Sequence, residues 1–478
     1  MTRTLDITAE QRKTLLSLLR QFIPGVLVWA YGSRVKWTAR PNSDLDLVVF
    51  VTARQREQVS ELKDVLAESN FPFLVDIHIW DEVPNRFHEI IRKDYVVLQA
   101  AEEKRLSGDT ADGFTTCTLD ELADFRNGKS ISPSSYTPTG KHPVFGSNGQ
   151  IARTNALLNP QPVVVIGRVG AYCGSVYGVH EPSWVTDNAI IAEPKPDVDF
   201  RFLYYRLKSL DLNRTAIGSA QPLMTQGGLK MVTTVKPPLP EQQAIARVLG
   251  ALDDKIELNQ RMNETQEALA RTLFQRMRDE SAGTKGKLCD CCERIENGGT
   301  PKRGEPRYWE PATVPWLTSG EVRQPIVTKT ENMISEEGLA NSSAKLWPAA
   351  TTVVALYGAT AGQVCFLGDA MCANQACCGL IPKKDMRYFV YLHMSSSVAA
   401  LEQQARGSAQ QNLSQQIVAD FPVTIPSPDT LAKFDEAVHP LFTRWIANIE
   451  ESRTLAALRD ALLPKLLSGA VRVKGTAS

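Results

Sequence analysis

The sequence predicts an α+β multidomain chain: a small α/β domain at the front, then two sheet-rich lobes, each followed by a long helix, the two helices pairing as an antiparallel coiled coil. Three observations predict it. Turn-forming residues recur in the same order about 188 positions apart, the hydrophobic period changes from strand-like runs to helical spacing after each lobe, and the first hundred or so residues alternate helix and strand.

The repeat is read from glycines. Val163 to Val176 is VVVIGRVGAYCGSV and Thr352 to Val364 is TVVALYGATAGQV, so Gly170 and Gly174 match Gly358 and Gly362, each 188 positions on. Gly218-Ser219-Ala220-Gln221 returns as Gly407-Ser408-Ala409-Gln410, and Pro240 is answered by Pro428. Matching glycines mean matching backbone turns. Upstream, Asn127-Gly128 matches Asn297-Gly298 at a spacing of only 170, so the second lobe carries an insertion, expected within Lys329 to Pro348. Short Val/Ile/Thr/Tyr runs broken by Gly, Pro, Asn and Ser make each lobe a set of small sheets with long loops.

After each lobe the spacing turns helical. From Glu241 to Glu280 there is no proline, and Ile245, Leu249, Leu252, Ile256, Met262, Leu269, Leu273 and Met277 fall mostly three or four apart. That is one amphipathic helix, roughly 60 Å long at about 1.5 Å per residue. The second stripe is Phe434, Val438, Leu441, Trp445, Leu455, Leu458 and Leu462, with Pro440 expected to kink or break it. Two such stripes pair as a coiled coil, a plain stalk or a ruler between the lobes. A polar stretch at Ala101 to Gly113 and a small-residue linker at Ser281 to Lys287 set expected domains at 1–105, 113–239, 240–280, 287–427 and 428–468.

Charge limits the functional classes. The 53 basic and 53 acidic residues cancel, so any phosphate-binding surface is local, a weak grip that makes sense if partner subunits supply most of the phosphate contacts. No apolar run approaches the roughly 18 residues of a membrane span, and the polar start MTRTLDITAEQRK lacks a signal-peptide core, which leads to an expected cytoplasmic location. Nine cysteines with adjacent pairs read as reduced thiols; a zinc site from Cys289, Cys292, Cys372, Cys377 and Cys378 is the alternative, which the first lobe does not repeat. A formal phosphate-loop match, ADFRNGKS from Ala123 to Ser130, follows a polar turn or short helix instead of a buried strand, and its counterpart Asn297-Gly298-Gly299-Thr300 has no lysine. There is no Asn-Pro-Pro-Tyr/Phe motif of the kind that adenine methyltransferases use either.

At Leu239 to Asn259, LPEQQAIARVLGALDDKIELN, the chain resembles the central helical region of the specificity subunit of type I restriction-modification enzymes. The resemblance covers about residues 114 to 467; the second helix departs from it, with Ser427-Pro428-Asp429 in place of Leu-Pro-Glu-Gln. It implies that each lobe reads one half of a split double-stranded DNA target, that the helices set the spacer, and that the helices dock DNA adenine methyltransferase subunits, two of them, with restriction or translocase subunits as further partners. S-adenosylmethionine then belongs to the partner. Donors on loops suit base edges in the major groove, which makes Arg168, Gln221 and Lys230 in the first lobe and Arg303, Arg307 and Gln410 in the second the candidate DNA-binding residues. For each of them a phosphate contact or a plain solvated residue is the readier reading.

The front domain is a different kind of element. A helix is expected near Ala9 to Phe22, strands at Val26 to Tyr31 and Leu45 to Val51, a helix near Arg54 to Ser69 and a strand at Phe73 to Trp80. Into this frame fall Gly32-Ser33, Asp44 and Asp46 two apart on one strand face, and Asp76 between Val75 and Ile77. Hard carboxylate oxygens grouped in this way suit magnesium. The pattern resembles the minimal nucleotidyltransferase domain, which implies that Gly32 and Ser33 hold nucleotide phosphates and that Asp44, Asp46 and Asp76 bind Mg2+ for in-line attack on the α-phosphate of ATP or another nucleoside triphosphate. Two functions are therefore in view. One is a DNA specificity subunit, itself non-catalytic; the alternative is a nucleotidyltransferase, acting on protein or RNA, targeted by a DNA-recognition module.

Overall fold

In the front domain, buried and more exposed residues alternate along three of the four described strands, and in Leu45–Phe50 up to Leu47, so one face of a small sheet enters the core and the other carries the polar positions. The computed structural model describes residues 5–24, 26–40, 43–51, 56–67, 69, 71–80, 83, 87, 91, 94–99, 113–216, 222–407 and 412–473. The front domain runs α1 (Ala9–Phe22), β1 (Leu27–Tyr31), β2 (Leu45–Phe50), α2 (Arg56–Ala67), β3 (Val75–Ile79) and β4 (Tyr95–Gln99). The sheet order is β3-β2-β1-β4, with β2 and β3 parallel and β1 antiparallel to both its neighbours. Leu15, Leu19, Leu45, Leu47, Val49 and Ile77 lie in the core between sheet and helices. Thr8 and Gln11 close a reciprocal capping box at the start of α1, with bonds of 3.2 and 2.9 Å. β4 was not expected from the sequence: only Val96 and Leu98 turn inward there, too short an apolar signal to announce a strand.

The chain divides into two compact units, Met1–Arg247 with Leu463–Ser478, and Val248–Leu462. The first lobe, in the first unit, contains β5 (Thr115–Thr118), β6 (Ala123–Asn127), β7 (His142–Gly146), β8 (Gly149–Thr154), β9 (Val163–Gly167), β10 (Val176–Val179), β11 (Trp184–Val185), β12 (Ala189–Pro194) and β13 (Thr233–Lys236). The second lobe contains β14 (Thr284–Lys287), β15 (Cys292–Asn297), β16 (Val314–Leu317), β17 (Ile326–Val327), β18 (Asn332–Ile334), β19 (Thr352–Ala355), β20 (Val364–Leu367), β21 (Cys372–Ala373), β22 (Cys377–Pro382) and β23 (Pro422–Ile425).

Sheet by sheet, the second lobe repeats the first. The order β6-β12-β9-β10 returns as β15-β22-β19-β20, extended by β17; β11-β7-β8 returns as β21-β16-β18, each with one parallel pair; and β5-β13 returns as β14-β23. The glycines behave as the sequence implied. Gly170 and Gly358 have φ of 70° and 73°, Gly174 and Gly362 of 85° and 88°. A side chain at Gly128 would collide with the carbonyls of Val185 and Thr186, and one at Gly298 with those of Ala373 and Asn374. The insertion differs from expectation, because it is split in two. Two residues join β7 to β8, whereas residues 318–331 join β16 to β18 and include β17; a second excess lies between β18 and β19, where helix Glu336–Ala340 sits.

The phosphate-loop match is ruled out by its backbone. Ala123–Asn127 is strand β6, and Gly128 and Lys129 donate to Ala189 and Val185 at 3.0 and 2.9 Å, leading to a 3-10 turn at Pro133–Ser135 with no helix N-terminus to cradle a phosphate.

The central helix spans Leu239–Glu280 and the C-terminal helix Pro428–Leu467. Within the second unit they are antiparallel: Asp253 meets Arg459 at 2.6 Å, Lys255 meets Glu451 at 3.1 Å, and the Phe274 and Phe434 rings are 6.1 Å apart. The expected apolar stripe is buried in part: Ile245, Leu249, Met277, Phe434, Val438 and Trp445 are buried. Leu269 and Leu458 are 46% and 47% exposed, while Ala270, Phe274 and two asparagines, Asn259 and Asn448, are buried. Asn448 donates to Asn263 at 2.9 Å; Asn259 donates to Glu451 at 3.0 Å and Ser452 at 3.2 Å. A leucine count cannot reveal a seam with a polar centre. Pro440 does not break the C-terminal helix as expected; it is exposed, and Val438, Phe442 and Trp445 on the opposite side are buried and hold both flanks in place.

Candidate functional site

The front domain gathers its polar signature on the uncovered face of the sheet. In the strand register Tyr31, Asp46 and Asp76 stand in one row across β1, β2 and β3, with the exposed Asp44 one step before β2. Gly32 follows β1 at φ 82°, and a side chain there would run into the Asp46 carboxylate, so only glycine allows the Gly-Ser turn to close on the acid. Burial, with the charges of Asp76 and Asp44, raises the Asp46 carboxyl above its usual range, against the pull of His78. Burial, with the charges of Asp46 and Asp76, pushes the Tyr31 phenol up to about 12. A cavity of about 400 Å³ opens beside this row, lined by Tyr31, Asp46, Lys63, His78, Val83 and Phe87, among others.

The donor set suits a hard divalent cation, since a metal among these acids would relieve the repulsion that Asp46 feels. His78 meanwhile holds Asp76 at 3.1 Å, and among the described residues no three acidic, histidine or cysteine side chains are drawn together closely enough to hold a metal ion. Cys289 is exposed, the other eight cysteines are buried, and all nine are free thiols. Burial pushes Cys372 and Cys378 up to about 12, which favours the protonated thiol over a zinc-binding thiolate.

Arg34 escaped the sequence reading. It is buried, donates to the Ser43 carbonyl at 3.0 and 2.7 Å and to that of Asp6 at 3.0 Å, and lies 3.7 Å from the Phe73 ring centre. Ser43 immediately precedes Asp44, so this one guanidinium fixes the loop between the Gly-Ser turn and the acidic strand. Its sequence signal was faint: an arginine directly after Gly-Ser.

In the lobes the candidates for DNA contact fall into different situations. Lys230 pairs with Asp120 at 3.0 Å, and Arg307 with Glu337 at 3.0 Å and Glu305 at 3.4 Å, so these cations are already partnered. Arg303 is exposed, 5.8 Å from the Trp309 ring centre. Arg168 directs one guanidinium nitrogen to the Asp187 carbonyl at 3.2 Å, while its Nε is buried without a partner. Gln221 and Gln410 lie outside the described residues. No described helix is long and apolar enough to cross a membrane.

Comparison with known proteins agrees with both halves of this geometry. Residues 111–268 and 284–438 each match the type I restriction modification DNA specificity domain, and residues 13–103 match the polymerase beta nucleotidyltransferase family. The "Probable protein adenylyltransferase MntA" of Haemophilus influenzae is 41% identical over 105 residues, 21% of this chain and 88% of that one. The MjaIX specificity subunit of Methanocaldococcus jannaschii is 26% identical over 309 residues, 59% of this chain and 71% of the relative. In fold, the crystal structure of the type I restriction-modification S subunit from M. genitalium aligns with a TM-score of 0.57 at 18% identity, over 76% of this chain and 98% of that one. Two matched lobes, repeated sheet for sheet and separated by a long helix, place this chain in the type I restriction-modification DNA specificity family, with a nucleotidyltransferase domain at its front.

Proposed function

We propose that the chain is the subunit that selects the DNA target of a type I restriction-modification complex, each lobe reading one half-site and the paired helices fixing the spacer between them. The duplication carries this reading. Equivalent turns in two lobes that differ in sequence and in an insertion are what two different half-sites require. The domains that do this work are 113–239 and 287–427, with helices 240–280 and 428–468 docking methyltransferase subunits that bring S-adenosylmethionine, and restriction subunits where the system has them. The balanced charge fits a reader that shares phosphate contacts with its partners. Co-expression with the partner methyltransferase, followed by single-molecule sequencing of the methylated genome, is expected to reveal one bipartite motif that changes in one half only when one lobe is exchanged. A motif that changes in both halves, or in neither, would overturn the reading.

A second activity is favoured by the closure of Gly32 onto Asp46. Gly32 and Ser33 would hold the phosphates of a nucleoside triphosphate, and Asp44, Asp46 and Asp76 would hold magnesium, which neutralises charge on those phosphates. A hydroxyl oxygen of the acceptor bonds to the α-phosphorus, the bond from that phosphorus to the bridging oxygen breaks, pyrophosphate leaves, and the hydroxyl proton passes to a carboxylate of the row. Incubation of the full chain and its partners with labelled ATP and magnesium is expected to transfer label, and Asp44→Ala/Asp46→Ala to abolish it. Absence of label on every component would sink this activity without touching the DNA reading.

A further inference from the structure

The two lobes share backbone turns, so a chemical group that both need can be recognised even when different residues supply it. At the turn of Gly170 and Gly358 the equivalence is close. The carbonyl of Arg168 accepts from Met224 at 2.9 Å and that of Leu356 from Leu413 at 2.8 Å, while their amides donate to Asn188 at 3.0 Å and Ala376 at 2.7 Å. Arg168 and Leu356 are thus the same position. In the first lobe it carries a cation; in the second it is a fully buried leucine.

The second lobe recovers the cation from elsewhere. Its first inserted stretch folds around the buried Glu321, whose carboxylate accepts from the Thr318 amide at 2.8 Å and hydroxyl at 2.7 Å and from the Glu331 amide at 2.9 Å. This brings Arg323, exposed, to the carbonyl of Ala359 at 3.3 Å, one residue past Gly358. An aromatic residue follows the same rule. Tyr172 is 48% exposed where its counterpart Thr360 is buried, and Tyr357, on the other side of the second turn, is 38% exposed. At Gly170 and Gly358 a side chain would meet nothing within 4 Å, whereas Gly174 and Gly362 are packed against Asn213 and Glu402.

We propose that these two turns are where each lobe meets the sugar-phosphate backbone of double-stranded DNA, each through an open glycine, one arginine and one exposed tyrosine: Gly170, Arg168 and Tyr172 in the first lobe, Gly358, Arg323 and Tyr357 in the second. The guanidinium takes a phosphate, the glycine leaves room for close approach, and the phenol ring lies on sugar and base edge. Because arginine and tyrosine come from non-equivalent positions, the two turns engage DNA in different registers. The inference rests on the DNA-reading function proposed above.

The test measures binding of the full chain, with its methyltransferase partner, to a long mixed-sequence duplex as sodium chloride is raised. Arg168→Ala and Arg323→Ala are each expected to lower the slope of log affinity against log salt by about one, with lysine at either position preserving it. Gly170→Asn and Gly358→Asn keep a residue that tolerates positive φ while filling the open side; they are expected to weaken binding about tenfold with unchanged thermal unfolding. Unchanged slopes in both arginine variants, or asparagine variants that bind like the parent, overturn the assignment and leave the DNA reading standing. A parent complex that does not bind the duplex at all overturns both.

Discussion

Arg206 shows how much can hang on one side chain. It is buried, its guanidinium donates to the carbonyl of Leu467 at 2.7 Å, its Nε has no partner, and burial alone takes its pKa down to about 10. A cation placed on the last carbonyls of a helix is a favourable cap, and its removal leaves a buried acceptor unpaired. Arg206→Ala is therefore expected to cost about 1–3 kcal/mol in urea unfolding of the full chain. His393 carries a pH dependence. Its Nε2 lies 3.0 Å from the Pro422 carbonyl, and burial holds the ring below its ordinary value of 6.5. The unfolded chain then takes up the proton first, so the stability from this residue is complete above 6.5 and is lost as pH falls from there toward the folded value. His393→Gln should flatten the decline of the unfolding temperature on acidification through that range, and an unaltered decline would show that other groups cause it. At this scale the sequence was partly legible. Gly32, Asp46 and Asp76 announced themselves by spacing, whereas Arg34 and Arg323 act through carbonyls distant in sequence, a relation that no local pattern contains.

Among the elements, the long helices were legible in extent but not in face. Their apolar stripe located them within a few residues, yet Asn259 and Asn448 at the centre of the seam rotate the buried side away from Leu269 and Leu458. A polar pair inside a coiled coil fixes register, because sliding would bury each amide without its partner. Register is what a ruler needs. Inserting one helical turn, about four residues, after Leu258 in the central helix and after Ala447 in the C-terminal helix is expected to lengthen the spacer of the methylated motif while both half-sites stay the same. A spacer that does not move would show that the lobes are set apart by something other than the helices. The lobe sheets were legible through their glycines, since φ near 70° to 88° admits little else, while β4 and β17 rest on two inward or two paired residues each and left no periodic trace.

For the whole molecule, the front domain and the reader answer to separate tests. A chain lacking residues 1–105 is expected to direct methylation to an unchanged motif at unchanged efficiency and to lose any transfer of labelled nucleotide. Loss of methylation with soluble, folded protein would instead make the front domain part of target selection. The ion pair between Arg472 and Glu241 at 3.3 Å and the placement of Arg472 5.3 Å from the Phe114 ring centre have a topological meaning. The residue five beyond the last helix stands beside the first residues of the first lobe, so within the first unit the tail of the chain returns to where that lobe begins. A permuted gene that starts at the linker near Ser281, joins Val473 to Gly113 through a short spacer and ends after the central helix should encode the same reader, with its half-sites and spacer unchanged.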